Sequence, residues 1–131
     1  MITDKAEYWL NLCDDDLQTA KVLLESNRLL HMGYFCHQIA EKALKAVVAY
    51  ATSEIPPKTH DLQKLAVQGG IFESLGGKHL ALFDKLTPLQ IEARYPEHKG
   101  RVAEMLTIQY CKEILTETEA FLCWIRQQLG K

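Results

Sequence analysis

The stretch YFCHQIAEKALKAVVAYA, Tyr34–Ala51, decides the fold. On a helix at about 100° per residue, Phe35, Cys36, Ile39, Ala40, Ala43, Leu44, Ala46, Val47, Val48, Tyr50 and Ala51 cover well over half of the circumference. A surface helix needs an apolar stripe of only about 100°. This helix is therefore expected in the middle of a helical core, with neighbours on several sides. Gln38, Glu41, Lys42 and Lys45 share the remaining arc. Such a strip reads either as the one wet edge of a buried helix or as a polar site that the core presents.

Upstream, Ala6, Leu10, Cys13, Leu17, Ala20 and Leu24 recur at helical spacing, with Trp9 beside them. They predict a first helix from Thr3 to about Ser26, with Thr3 as its N-cap. Asp16 borders the apolar face; a solvated acidic face is the plainer reading, and acceptance of a hydrogen bond or a lysine from the next helix is the sharper one. Ser26–Gly33, SNRLLHMG, reads as a turn, so the second helix is expected from about Tyr34 to Thr52, antiparallel to the first.

Downstream, Pro56 and Pro57 stop that helix. Thr59 or Asp61 can cap a short third helix, Asp61–Val67, ended by Gly69 and Gly70. A fourth is expected over about Leu75–Leu86. Thr87–Gly100, TPLQIEARYPEHKG, reads as an irregular loop rich in binding groups: Arg94, Tyr95, His98 and Lys99. The last helix is expected from Arg101 to about Leu129. Its apolar residues fall on two arcs, Ala103, Tyr110, Cys111, Ile114, Phe121 and Ile125 against Val102, Met105, Leu106, Cys123 and Trp124. The second arc is expected to face a subunit or more core.

These elements make one domain, 1–131, an all-α up-and-down bundle of four main helices with one or two short extra ones. A chain of 131 residues buries about two-thirds of its unfolded surface and folds without a disulfide or a metal. A net charge of −2 gives no global attraction to nucleic acid or to an anionic membrane. No apolar run approaches the roughly 20 residues that span a bilayer, and the acidic N-terminal segment is unlike a signal peptide. The four cysteines are widely spaced and read as buried thiols of a cytoplasmic protein.

Several residues carry chemistry. His37, flanked by apolar positions, reads as a hydrogen-bonded core histidine. Lys42 and Lys45, one turn apart, can contact one phosphate, although exposed lysines are commoner than phosphate sites. Arg94, His98 and Arg101 supply a bidentate phosphate binder, a proton shuttle and a cation near a helix start. A basic loop is the plainer reading of the same residues. No glycine-rich phosphate loop is present, no Ser-His-Asp order stands out, and Asp14, Asp15 and Asp16 point in different directions, so no metal or magnesium site is expected.

Asp16-Leu17 with Ala20 and Leu23-Leu24, then HQIAEKALKAVV at His37–Val48, PPKTHDLQKL at Pro56–Leu65 and ARYPE at Ala93–Glu97 resemble the small prokaryotic HEPN domain (higher eukaryotes and prokaryotes nucleotide-binding) across nearly the whole chain. The resemblance implies a helical homodimer. It also implies association with a small nucleotidyltransferase, in some cases as a toxin–antitoxin pair, and a nucleotide ligand in place of a cofactor. Members that cleave RNA carry an Arg and a His at a wider spacing near the start of the last long helix. Here three residues separate Arg94 from His98, and no histidine follows Arg101. The resemblance therefore implies the accessory type, a binding protein with Gln38, Glu41, Lys42, Lys45, Arg94, Tyr95 and His98 at its nucleotide or partner surface. The alternatives are a metal-independent endoribonuclease with Arg94 on the phosphate and His98 as acid or base, and a helical scaffold that binds protein alone.

Overall fold

The computed structural model describes residues 3–92 and 104–130. Its helices are α1 (Asp4–Glu25), α2 (Leu29–Thr52), α3 (Leu62–Gln68), α4 (Gly77–Glu92) and α5 (Ile108–Gln128), with a short 3-10 turn at Phe72–Ser74 between α3 and α4. Among the described residues there is no strand, so the all-α expectation holds. No helix among them is long and apolar enough to cross a membrane.

α2 is the centre of the bundle and packs against α1, α3, α4 and α5. The reason lies in its composition: Cys36, Ile39, Ala40, Ala43, Leu44, Ala46, Val47 and Val48 are all buried. The many alanines let neighbouring backbones approach from several directions, while Leu10, Leu86, Ile114 and Phe121 supply bulk from the surrounding elements. Tyr50 and Ala51, expected inside, lie in the last turn of α2 and are exposed.

α1 begins as expected. Thr3 is its N-cap and accepts the Ala6 N–H at 3.2 Å. Its end is sharper than the sequence suggested. Asn27 takes a left-handed conformation with φ 59°. The Arg28 N–H reaches the Leu23 carbonyl at 2.8 Å, and the Asn27 N–H reaches that of Leu24 at 3.1 Å. This is a Schellman stop, and it reverses the chain within three residues, Ser26 to Arg28. α2 therefore starts at Leu29, five residues before the expected Tyr34, and Leu30 and Met32 join the core.

Gly33, read as part of a turn, sits inside α2. A Cβ on it would stand 2.9 Å from Leu89 Cδ1, so the glycine makes room for a close approach of α4. The same contact corrects the fourth helix. α4 does not stop before Thr87 but runs through Pro88 to Glu92. Proline removes one backbone donor; Thr87 Oγ1 bonds the Phe83 carbonyl at 2.8 Å, and Leu89 and Gln90 are buried beyond it. Packing on α2 carries the helix past the residue that would otherwise end it.

The last helix is also shorter than expected. Glu104 and Met105 are helical, but Thr107 is extended and caps a new start by accepting the Tyr110 N–H at 3.1 Å. α5 thus begins at Ile108. Cys111, Ile114, Phe121 and Ile125 face the core as expected. The second apolar arc divides: Leu106 is buried, Trp124 is half-buried against the core, and Met105 and Cys123 are exposed. Val102 and Ala103 lie outside the described residues.

Candidate functional site

Glu41 is the focus of the polar groups on α2. Its residue is only 3% exposed. Lys45, one turn on and also buried, places Nζ 3.0 Å from Glu41 Oε2. His60, from the loop before α3, places Nδ1 2.8 Å from Glu41 Oε1. His37, one turn back on α2, has its Nδ1 3.6 Å from the same oxygen. The Lys45 ammonium also lies over the Trp9 ring at 5.5 Å, so α1 closes the cluster from the other side.

A buried ion pair is tolerated when further hydrogen bonds satisfy it, and the loop at His60 supplies one. That loop is itself pinned. Lys5 donates to the Ser53 carbonyl at 2.9 Å at the C-terminus of α2, where a cation also suits the helix dipole. Asp61 caps α3 by accepting the Lys64 N–H at 3.1 Å, and Thr59 Oγ1 accepts the Asp61 N–H at 3.2 Å.

The strip on α2 is thus covered more than wet. Lys42 Nζ lies 2.6 Å from Asp16 Oδ2 and is largely shielded, so Asp16 is not the solvated acid of the plainer reading but takes a lysine from the next helix. Gln38 Nε2 is buried without a hydrogen-bond partner among the described residues. The structure brings Glu41, Lys42 and Lys45 into internal pairs, with Gln38 beside them. Arg94, Tyr95 and His98 lie outside the described residues.

His60 and Trp9 complete the cluster and were not singled out as functional by the sequence. The signal for His60 was at hand: two prolines followed by Thr59-His60-Asp61 make a short return that folds back on α2. Nothing in local spacing pairs it with Glu41, nineteen positions earlier. Beside the cluster, Asp4, Lys5, Tyr8, Trp9, Ile55 and Pro56 line an apolar groove of about 360 Å³. Ile55 is 83% exposed on its rim.

Three of the four thiols are sealed in; Cys123, expected to be buried, is exposed on α5. Burial pushes Cys13 and Cys36 up to about 12 and Cys111 up to about 11. Cys13 and Cys36 also hydrogen-bond within the core, to the Ile39 carbonyl and to Met32 Sδ. These three behave as small apolar side chains that stay protonated at neutral pH. Among the described residues, no group of three or more His, Cys, Asp or Glu could hold a metal ion.

An all-α bundle around an internally ion-paired central helix, with its Thr-His-Asp return docked on that helix, defines a class of small helical domain. The HEPN domain model matches residues 6–128, and the chain belongs to the HEPN family. Comparison with curated proteins and with solved structures gave no significant match.

Proposed function

We propose that this protein is a binding and assembly module. It self-associates as a homodimer and docks a small nucleotidyltransferase, helping to hold that enzyme's nucleotide or acceptor substrate. Family membership supports the reading. The observation that carries it is the internal commitment of the α2 strip. Glu41, Lys42 and Lys45 are paired with Lys45 and His60, with Asp16 and with Glu41, so these charges stabilise the frame in preference to gripping a ligand. A frame braced in this way suits a protein that presents surfaces to a partner. Arg94, Tyr95 and His98 remain as the groups assigned to nucleotide or partner contact, with Gln38 and Lys42 at the part-exposed margin of the frame.

Affinity capture of the tagged protein from its native lysate tests the reading. Recovery of a small nucleotidyltransferase in fixed ratio is expected, and Arg94→Ala is expected to weaken that recovery or nucleotide binding while leaving the melting temperature unchanged. Recovery of the protein alone as a dimer overturns it. RNA cleavage in EDTA that His98→Ala abolishes would replace it with the endoribonuclease reading.

A further inference from the structure

The Glu41–His60 pair joins a buried carboxylate to a part-exposed imidazole. Glu41 Oε1 faces His60 Nδ1 at 2.8 Å. An ionised carboxylate only accepts, so the neutral ring carries its proton on Nδ1 and its lone pair on Nε2. The carboxylate is held from behind by Lys45 at 3.0 Å and is 4% exposed, whereas the His60 side chain is 45% exposed. A fixed buried anion thus orients an imidazole that emerges into solvent. This is the orienter-and-base part of a triad, with the base facing outward.

We propose that His60 is a phosphoryl-accepting site, with Nε2 as nucleophile and Glu41 as the buried counter-charge. The Nε2 lone pair attacks the phosphorus of an acyl phosphate or phosphoanhydride. A P–N bond forms, the P–O bond to the leaving group breaks, and the leaving group departs with that electron pair. The ring gains positive charge as the bond forms, and Glu41 balances it across the Nδ1–H hydrogen bond. No oxidant or metal takes part.

The surroundings favour an anionic donor. Lys58 lies two residues before His60, Lys64 lies in the first turn of α3, and both are exposed. The neighbouring carboxylate, Asp61, is turned onto the Lys64 N–H as a helix cap. The other described histidines lack this arrangement of burial and access: His37 and His79 are buried, and His31 is exposed on the first turn of α2. This proposal does not rest on the proposed function.

The test uses the full chain and a small acyl phosphate donor, acetyl phosphate, at about pH 8, where ordinary imidazoles are neutral. Acid-labile phosphoryl groups are located by mass spectrometry. His60 is expected to be labelled about tenfold faster than His31, the factor given by about 1.4 kcal/mol of charge stabilisation. That advantage should vanish in urea, which removes Glu41 without any mutation. In Glu41→Gln the acceptor oxygen remains but the charge is gone, so the rate should fall to that of His31. The proposal is overturned if His60 stays unlabelled, if it reacts no faster than His31, or if its advantage survives unfolding.

Discussion

His60 and His79 are both held through Nδ1, but by opposite partners. At His60, Nδ1 faces the Glu41 carboxylate at 2.8 Å and donates to it. At His79, Nδ1 accepts the Gly76 N–H at 3.2 Å. The first ring leans out of a charged cluster into solvent. The second is buried between rings, 4.4 Å from Trp124 and 5.5 Å from Phe121. His79 occupies the third position of α4 and takes the place that Glu or Gln fills in a capping box. The carboxylate leaves the outer nitrogen of His60 as an acceptor, while the backbone donor leaves that of His79 carrying the proton. One residue type thus gives a solvent-facing nucleophile in one region and a helix cap in the other.

The first way to break this contrast is to remove the carboxylate. Glu41→Ala leaves Lys45 buried without its counter-charge and frees the His60 loop. Urea denaturation should show a loss of about 3–5 kcal/mol, the usual penalty for stranding one member of a buried pair. A loss below about 1 kcal/mol would mean that water reaches the cluster, as it reaches a surface pair.

The contrast sharpens with pH. Burial, and secondarily the Lys78 charge, lower the affinity of His79 for a proton below that of an ordinary imidazole. Between the lowered native value and the unfolded value of about 6.5, the unfolded chain binds the extra proton and the native chain does not. Stability therefore rises with pH through that window. The His79 contribution is fully present above about pH 6.5 and is lost as pH falls through the window. Melting temperatures should drop between about pH 7 and pH 5. His79→Gln can still accept the Gly76 N–H but cannot titrate, so it should flatten that slope. An unchanged slope would assign the acid sensitivity to other groups.

The smallest effect concerns two ion pairs outside the Glu41 cluster. A double-mutant cycle on Asp16 and Lys42, which are 13% and 21% exposed, should give a coupling of about 1 kcal/mol. The same cycle on Asp14 and Arg126, whose Nη2 lies 2.8 Å from both carboxylate oxygens but whose side chains are 52% (Asp14) and 27% (Arg126) exposed, should give about 0.5 kcal/mol or less. Equal couplings would show that burial does not rank these pairs.

Local chemistry explains what was legible in the sequence. The Thr3 cap, the Asp61 cap, the stop at the prolines and the wide apolar coverage of α2 all depend on residues within a turn or two of one another. The Schellman turn at Asn27, the passage of α4 through Pro88 and the restart at Thr107 were missed, because each local signal admitted a second conformation and packing chose between them. Gly33 shows the choice most plainly: it read as a turn former, but a helix and a neighbouring Leu89 surround it.

The sequence by itself determined the helical class, the central place of α2, the antiparallel first pair and the family, since these follow from hydrophobic period, caps and motif order along the chain. The Asp16–Lys42 contact was not among them: the sequence left Asp16 open between a solvated face and an interhelical partner, and packing chose the partner. Only the tertiary structure decided that Glu41 and Lys45 are buried and that His60 completes their cluster. The pairing of charges across a loop depends on how that loop returns, and side-chain burial depends on every neighbour at once.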